Sequence, residues 1–125
     1  MNKKKILIVD DERGYTSMLS LNLESTGDYE VEVENDPKKA FSAALRYRPD
    51  LVLLDIIMPD KEGPEVLIDM RNNDILKKIP AIFLTATITR DEVANNNGRI
   101  GGHQFIAKPS RFNELIESIE ESMNT

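Results

Sequence analysis

The sequence predicts an α/β fold: a doubly wound, five-stranded parallel sheet of order 2-1-3-4-5, with helices on both faces. Three observations carry this. Short apolar runs recur at Ile6-Leu7-Ile8-Val9, Leu51-Val52-Leu53-Leu54, Ala81-Ile82-Phe83-Leu84 and Phe105-Ile106-Ala107. Segments of helical spacing alternate with them, as crossovers between parallel strands require. Each run leads directly into a polar residue, respectively Asp10, Asp55, Thr85 and Lys108.

Ile6 to Val9 is apolar throughout, which suits a strand buried on both faces. From Glu12 onward Tyr15, Met18, Leu19 and Leu23 fall three or four apart, the stripe of an amphipathic helix that Gly27-Asp28 closes. Glu30-Val31-Glu32-Val33-Glu34 alternates acidic and β-branched residues, so this strand has a wet face and belongs at an edge. One alternating strand among four apolar ones is what the order 2-1-3-4-5 accommodates. Asp36-Pro37 supplies an N-cap and a first helical position, Phe41, Ala44 and Leu45 the buried stripe, and Arg48-Pro49-Asp50 the stop.

After Asp55, Pro59 and Gly63 break the chain into a loop, and Gly63-Pro64 opens a helix carrying Val66, Leu67 and Met70. That helix fades in Asn72-Asn73-Asp74, and Pro80 to Leu84 reads as the next strand, ending in Thr85. Thr89-Arg90-Asp91-Glu92 has capping-box spacing, but Asn95-Asn96-Asn97-Gly98 and Gly101-Gly102 are poor helix formers. The fourth helix is therefore expected to be short, with Asn95 to His103 a mobile loop. Ser110 caps a last helix that places Phe112, Leu115, Ile116 and Ile119 on one face.

At 125 residues, 40% hydrophobic and 30% charged, the chain reads as one domain spanning residues 1–125. Sixteen basic residues against 22 acidic ones give a formal charge of −6, which argues against broad binding to nucleic acid or an anionic membrane. The absence of cysteine excludes disulfides and thiolate chemistry. No apolar stretch approaches the roughly 20 residues of a membrane span, and no signal-peptide pattern opens the chain. A soluble, cytoplasmic domain is expected.

In the order 2-1-3-4-5, the carboxyl ends of four adjacent strands bring Asp10, Asp11, Asp55, Thr85 and Lys108 to one rim of the sheet. Clustered carboxylates repel one another, and a hard divalent cation with oxygen ligands, Mg²⁺ above all, relieves that repulsion. Asp55 could then act as nucleophile toward a phosphoryl group, with Lys108 and Thr85 neutralising and positioning it. A lone Asp at a strand end means little; the convergence gives it meaning.

Four motifs stand in order: Val9-Asp10-Asp11-Glu12; Leu53-Leu54-Asp55-Ile56-Ile57-Met58-Pro59 with Gly63; Leu84-Thr85-Ala86; and Phe105-Ile106-Ala107-Lys108-Pro109. With them the chain resembles, over essentially its whole length, the receiver domains of two-component response regulators, chemotaxis regulators among them. The resemblance implies a flavodoxin-like (βα)5 fold and a phosphorylation-dependent switch. It makes Asp55 the phosphoacceptor and Asp11 a direct Mg²⁺ ligand, with Asp10 acting partly through water and Asp55 and the Ile57 backbone carbonyl completing the set. It makes Lys108 the partner of the phosphoryl group, with a cis Lys108–Pro109 bond. It further implies that Thr85 moves toward the phosphate and Phe105 turns inward, altering the surface of the fourth helix, fifth strand and fifth helix. The partners implied are a sensor histidine kinase or histidine phosphotransfer protein and a downstream effector, with the domain a monomer or a phosphorylation-dependent dimer.

Other readings weigh against these. Phe105 could be plain core packing, His103 a surface residue, and Glu117, Glu120 and Glu121 the wet face of the last helix. The resemblance implies that the positions two residues beyond Asp55 and Thr85 tune the lifetime of the acyl phosphate; Ile57 and Thr87 stand there without a carboxylate or amide to orient water, so slow self-dephosphorylation is expected. Ile57 also argues against a metal-dependent phosphatase or phosphotransferase, which needs a second acid there. No output domain follows the last helix, so the alternatives are a stand-alone switch, a phosphorelay intermediate, or the receiver part of a larger regulator or hybrid kinase. A receiver of this kind catalyses only its own phosphorylation and dephosphorylation.

Overall fold

The computed structural model describes residues 3–86, 99–100 and 103–123. Along the chain run β1 (Lys4–Val9), α1 (Arg13–Ser25), β2 (Tyr29–Glu34), a 3-10 turn (Pro37–Lys39), α2 (Ala40–Tyr47), β3 (Leu51–Asp55), α3 (Gly63–Arg71), β4 (Ala81–Thr85), β5 (Arg99–Ile100), β6 (His103–Ala107) and α4 (Phe112–Met123). The sheet order is β2-β1-β3-β4-β6-β5. Its first five strands are all parallel, which is the predicted doubly wound arrangement, with β6 in the place of the predicted fifth strand.

Continuous apolar runs are needed because each central strand serves two cores. Ile6, Ile8, Leu53, Ile82 and Leu84 face α1 and α4, packing with Leu19, Leu23, Leu115 and Ile119. The alternate residues Leu7, Val9, Val52, Leu54 and Phe83 face α2 and α3, packing with Ala43, Ala44, Val66 and Met70. Each fully buried Leu or Ile contributes about 1.5–3 kcal/mol, so the two layers supply most of the drive to fold. The alternating β2 lies at the edge, as its pattern implies.

Four expectations are corrected. Arg99–Ile100, expected within a loop, forms a strand antiparallel to β6, Arg99 opposite Gln104 and Ile100 opposite His103. Gly101-Gly102 stands between the paired segments in sequence, the two-residue spacing of a hairpin, and it was read only as a poor helix former. The Leu115 amide returns to the Arg111 carbonyl at 3.1 Å, so the cap position of α4 is Arg111 and not Ser110. Met18 is exposed: the i+4 steps Tyr15-Leu19-Leu23 drift one way round the helix, and the i+3 step to Met18 turns the other way. Phe112 is exposed as well, because α4 begins at the carboxyl edge, where the sheet beneath it has ended. The short fourth helix expected from Thr89, Thr87, most of the Asn95 to His103 loop and the His103 side chain lie outside the described residues.

The loop after β3 is fixed by close backbone approach. The Gly63 amide donates to the Ile56 carbonyl at 2.8 Å, and the Glu65 carboxylate accepts from the Glu62 amide at 3.1 Å. A Cβ at Gly63 would fall far inside contact distance of the Asp55 carbonyl oxygen, so only glycine lets α3 start directly against the end of β3. Gly63→Ala should destabilise the fold by about 2–3 kcal/mol in urea denaturation.

Candidate functional site

Parallel register delivers the site. Val9 pairs with Leu54, Asp55 with Leu84, and Thr85 with Ala107. Asp10 therefore follows the last residue of β1, Asp55 and Thr85 are the last residues of β3 and β4, and Lys108 follows β6. The Lys108 amide donates to the Thr85 carbonyl at 2.8 Å, holding the start of the final loop against β4. The Lys108–Pro109 peptide is cis, as the resemblance implied.

Asp10 is wholly buried. One carboxylate oxygen accepts from the Glu12 amide at 2.9 Å and the other from Lys108 Nζ at 2.8 Å. Its backbone carbonyl accepts from Asn35 Nδ2 at 2.8 Å, and Asn35 also donates to Thr16 Oγ1 at 3.1 Å. The loop after β2 is thereby tied to the turn between β1 and α1. Lys108 Nζ further bonds Glu12 Oε1 at 2.7 Å and stands 3.6 Å from Asp55 Oδ1. The ammonium also lies over the Tyr15 ring, 4.7 Å from its centroid.

These contacts set the charges. Burial, then repulsion from Asp10, raises the Asp55 carboxyl from 3.8 to about 6, with Asp11 adding to the rise while Lys108 and the Ile56 amide oppose it. Burial would lower the Lys108 ammonium, but its bonds to Asp10 and Glu12 outweigh that and hold it above its ordinary value. Burial pushes the Tyr15 hydroxyl up to about 12, against the pull of Lys108, so the ring stays neutral in the physiological range. One carboxylate oxygen from each of Asp10, Asp11 and Asp55 lies within 4.8 Å of the others. Three convergent carboxylates, one with unusual affinity for a proton, fit a hard divalent cation.

Of the other residues singled out in the sequence, Thr85 is buried at the same rim. Ile57 lies in the following loop with its side chain exposed. Phe105 is half-buried against Phe83, ring centroids 5.3 Å apart, and lines an apolar groove of about 390 Å³ with Ile56, Leu67 and Arg71.

Fold and site together define a parallel-sheet domain with an acidic, cation-suited cleft at the point where the strand order reverses. The family model of the response regulator receiver domain matches residues 6–120, and the chain belongs to that family. The response regulator ArlR of Staphylococcus saprophyticus is 36% identical over 116 residues, covering 92% of this chain and 50% of that protein. The transcriptional regulatory protein TrcR of Mycobacterium tuberculosis is 33% identical, covering 90% of this chain and 42% of that protein. The chain thus spans about half the length of the curated relatives it matches.

Among solved structures, the receiver domain of sensor histidine kinase PA1611 from Pseudomonas aeruginosa carries a magnesium ion in its active-site cleft. It matches with a TM-score of 0.83 at 26% identity, over 99% of this chain and 100% of that one. The chemotaxis protein CheY4 of Vibrio cholerae matches with a TM-score of 0.81 at 26% identity, over 97% and 99%. The domain is a signalling module of two-component systems, whose general function is a phosphorylation switch. Among the described residues no helix is long and apolar enough to cross a membrane.

Sequence reasoning missed three participants. Glu12 was quoted within a motif but given no role, Tyr15 was read only as helix stripe, and Asn35 carried no signal. The adjacency of Glu12 to Asp10-Asp11 was the usable clue.

The charge balance predicts a stability effect. Asp55 in the folded state holds its proton up to about pH 6, against 3.8 for the ordinary carboxyl. The folded state therefore binds the extra proton between these values, and the penalty of ionising Asp55 is complete above pH 6 and relieved as pH falls toward 4. Without divalent metal near neutral pH, Asp55→Asn should raise the unfolding free energy by on the order of 2 kcal/mol. Urea denaturation across pH should show that gain fading below the raised pKa, and saturating Mg²⁺ should narrow it at neutrality.

Proposed function

We propose that residues 1–125 form one receiver domain that accepts a phosphoryl group on Asp55 from a sensor histidine kinase or histidine phosphotransfer protein in a Mg²⁺-dependent reaction. The observation that carries this is the approach of Lys108 Nζ to within 3.6 Å of a buried carboxylate that also faces the charges of Asp10 and Asp11. Asp10, Asp11, Asp55 and the Ile57 backbone carbonyl would hold the cation, which supplies charge neutralisation when bound. An Asp55 oxygen attacks phosphorus as the bond from phosphorus to the donor breaks, and the electron pair leaves with the donor. Lys108 meets the charge on the transferred oxygens, and the Thr85 hydroxyl bonds one of them.

Thr85 then moves toward the phosphoryl group, and Phe105 turns inward beside Phe83, which alters the face formed by β6 and α4. The groove lined by Phe105 supports this, since it leaves the ring room to change position. Only contacts that differ between the two states can drive such a change. The domain catalyses its own phosphorylation and dephosphorylation, works in the cytoplasm, and is a monomer or a phosphorylation-dependent dimer that signals to an effector protein. A second reading, the receiver portion of a larger regulator, is favoured by the double length of the curated relatives.

Incubation with Mg²⁺ and acetyl phosphate should add the mass of one phosphoryl group to the wild type and none to Asp55→Asn. Lys108→Ala should slow the gain by at least about tenfold. No gain in wild type across several small donors would leave a binding-only receiver. Because neither Ile57 nor Thr87 carries a carboxylate or amide, the label should persist for minutes or longer. Its loss within seconds would contradict that.

A further inference from the structure

Lysine carries its ammonium on a flexible four-carbon stem, and an acidic cleft offers such a stem several stopping points. Here the ammonium bonds Asp10 at 2.8 Å and Glu12 at 2.7 Å, while Asp55 is 3.6 Å away. The Glu12 side chain is 60% exposed, so that contact is screened and easily exchanged. The Tyr15 ring facing the ammonium from α1 is of another kind. It is half-buried and packed against the cluster that contains Ile6, Ile8 and Leu19, so its position is set by the core. An ammonium within about 6 Å of a ring face is attracted to it, more strongly where water is excluded, and the Lys108 side chain is only 6% exposed. A ring also attracts the ammonium without adding negative charge to a cleft that an anionic phosphoryl group must enter, and without competing for the cation.

We propose that Tyr15 is a positioning residue for phosphoryl transfer: its ring is a fixed, uncharged platform that keeps Lys108 Nζ beside Asp55 when the ammonium exchanges Glu12 for phosphoryl oxygens. This rests on the phosphoacceptor reading of Asp55. Tyr15 makes and breaks no bond in the transfer. Its ring carries the effect, so phenylalanine should serve in its place and an aliphatic side chain should not.

The test compares wild type with Tyr15→Phe, Tyr15→Leu and Tyr15→Met in the full chain, the methionine variant guarding against poor folding of the leucine one. Two readouts are taken: the phosphorylation rate with acetyl phosphate at saturating Mg²⁺, and the NMR shift of the Lys108 ε-methylene protons, which the ring current moves upfield. Tyr15→Phe should keep the upfield shift and stay within about twofold of the wild-type rate, whereas the aliphatic variants should lose the shift and slow by roughly 3- to 30-fold. The Mg²⁺ concentration for half-maximal rate should stay unchanged throughout. Aliphatic variants as fast as wild type would overturn the role of Tyr15 alone, as would Tyr15→Phe as slow as Tyr15→Leu. Wild type that takes up no phosphoryl group from any donor would overturn the phosphoacceptor reading and this role with it, while the NMR shift still reports whether the ring holds the lysine.

Discussion

The structure depends on a charge imbalance that the fold imposes and does not itself neutralise. Asp10 and Asp55 are buried side by side at the carboxyl edge of the sheet, Asp11 and Glu12 stand beside them, and among the described residues Lys108 is the one ammonium bonded among them. Burial first, and then repulsion from Asp10, raises the proton affinity of Asp55, and one ammonium does not offset both. A hard divalent cation held by the three convergent carboxylates would relieve that repulsion. The arrangement is therefore poorly optimised for stability and suited to holding a hard divalent cation.

The strand ends that carry those charges are themselves placed by apolar packing elsewhere. The two core layers lock the strands in register, and register sets which residue stands at each strand end. A slip of one residue in β3 would send the side chain of Asp55 to the opposite face of the sheet. Gly63 adds a second constraint, allowing the first turn of α3 to sit against the Asp55 carbonyl so that the loop beyond β3 begins from a fixed point.

The parts legible in the sequence were those governed by burial. Runs such as Ile6 to Val9 must be strands because both faces are covered, and their ends had to carry the site. The less legible parts were governed by local geometry or by contacts between distant segments. Nothing in the spacing of Tyr15, Leu19 and Leu23 distinguishes a ring that packs from a ring that also faces an ammonium. Met18 looked buried because a three-residue step is compatible with a stripe, although the sheet meets the other flank of the helix. Arg99–Ile100 is too short to show periodicity, and only its spacing from His103 across two glycines marked it as a strand.

Lys108 and Asp10 are 98 residues apart in sequence and 2.8 Å apart in space. Joining them closes a loop that contains β2, β3 and β4, and such closure is slow and entropically unfavourable until the intervening elements have docked. The acidic cleft is consequently complete only once the last parallel strand has docked. Lys108 is synthesised after the acids that it bonds, Asp10, Glu12 and Asp55. The order of the strands thus makes the last parallel strand the one that completes the cleft, and a chain ending before β6 lacks the ammonium that faces Asp55.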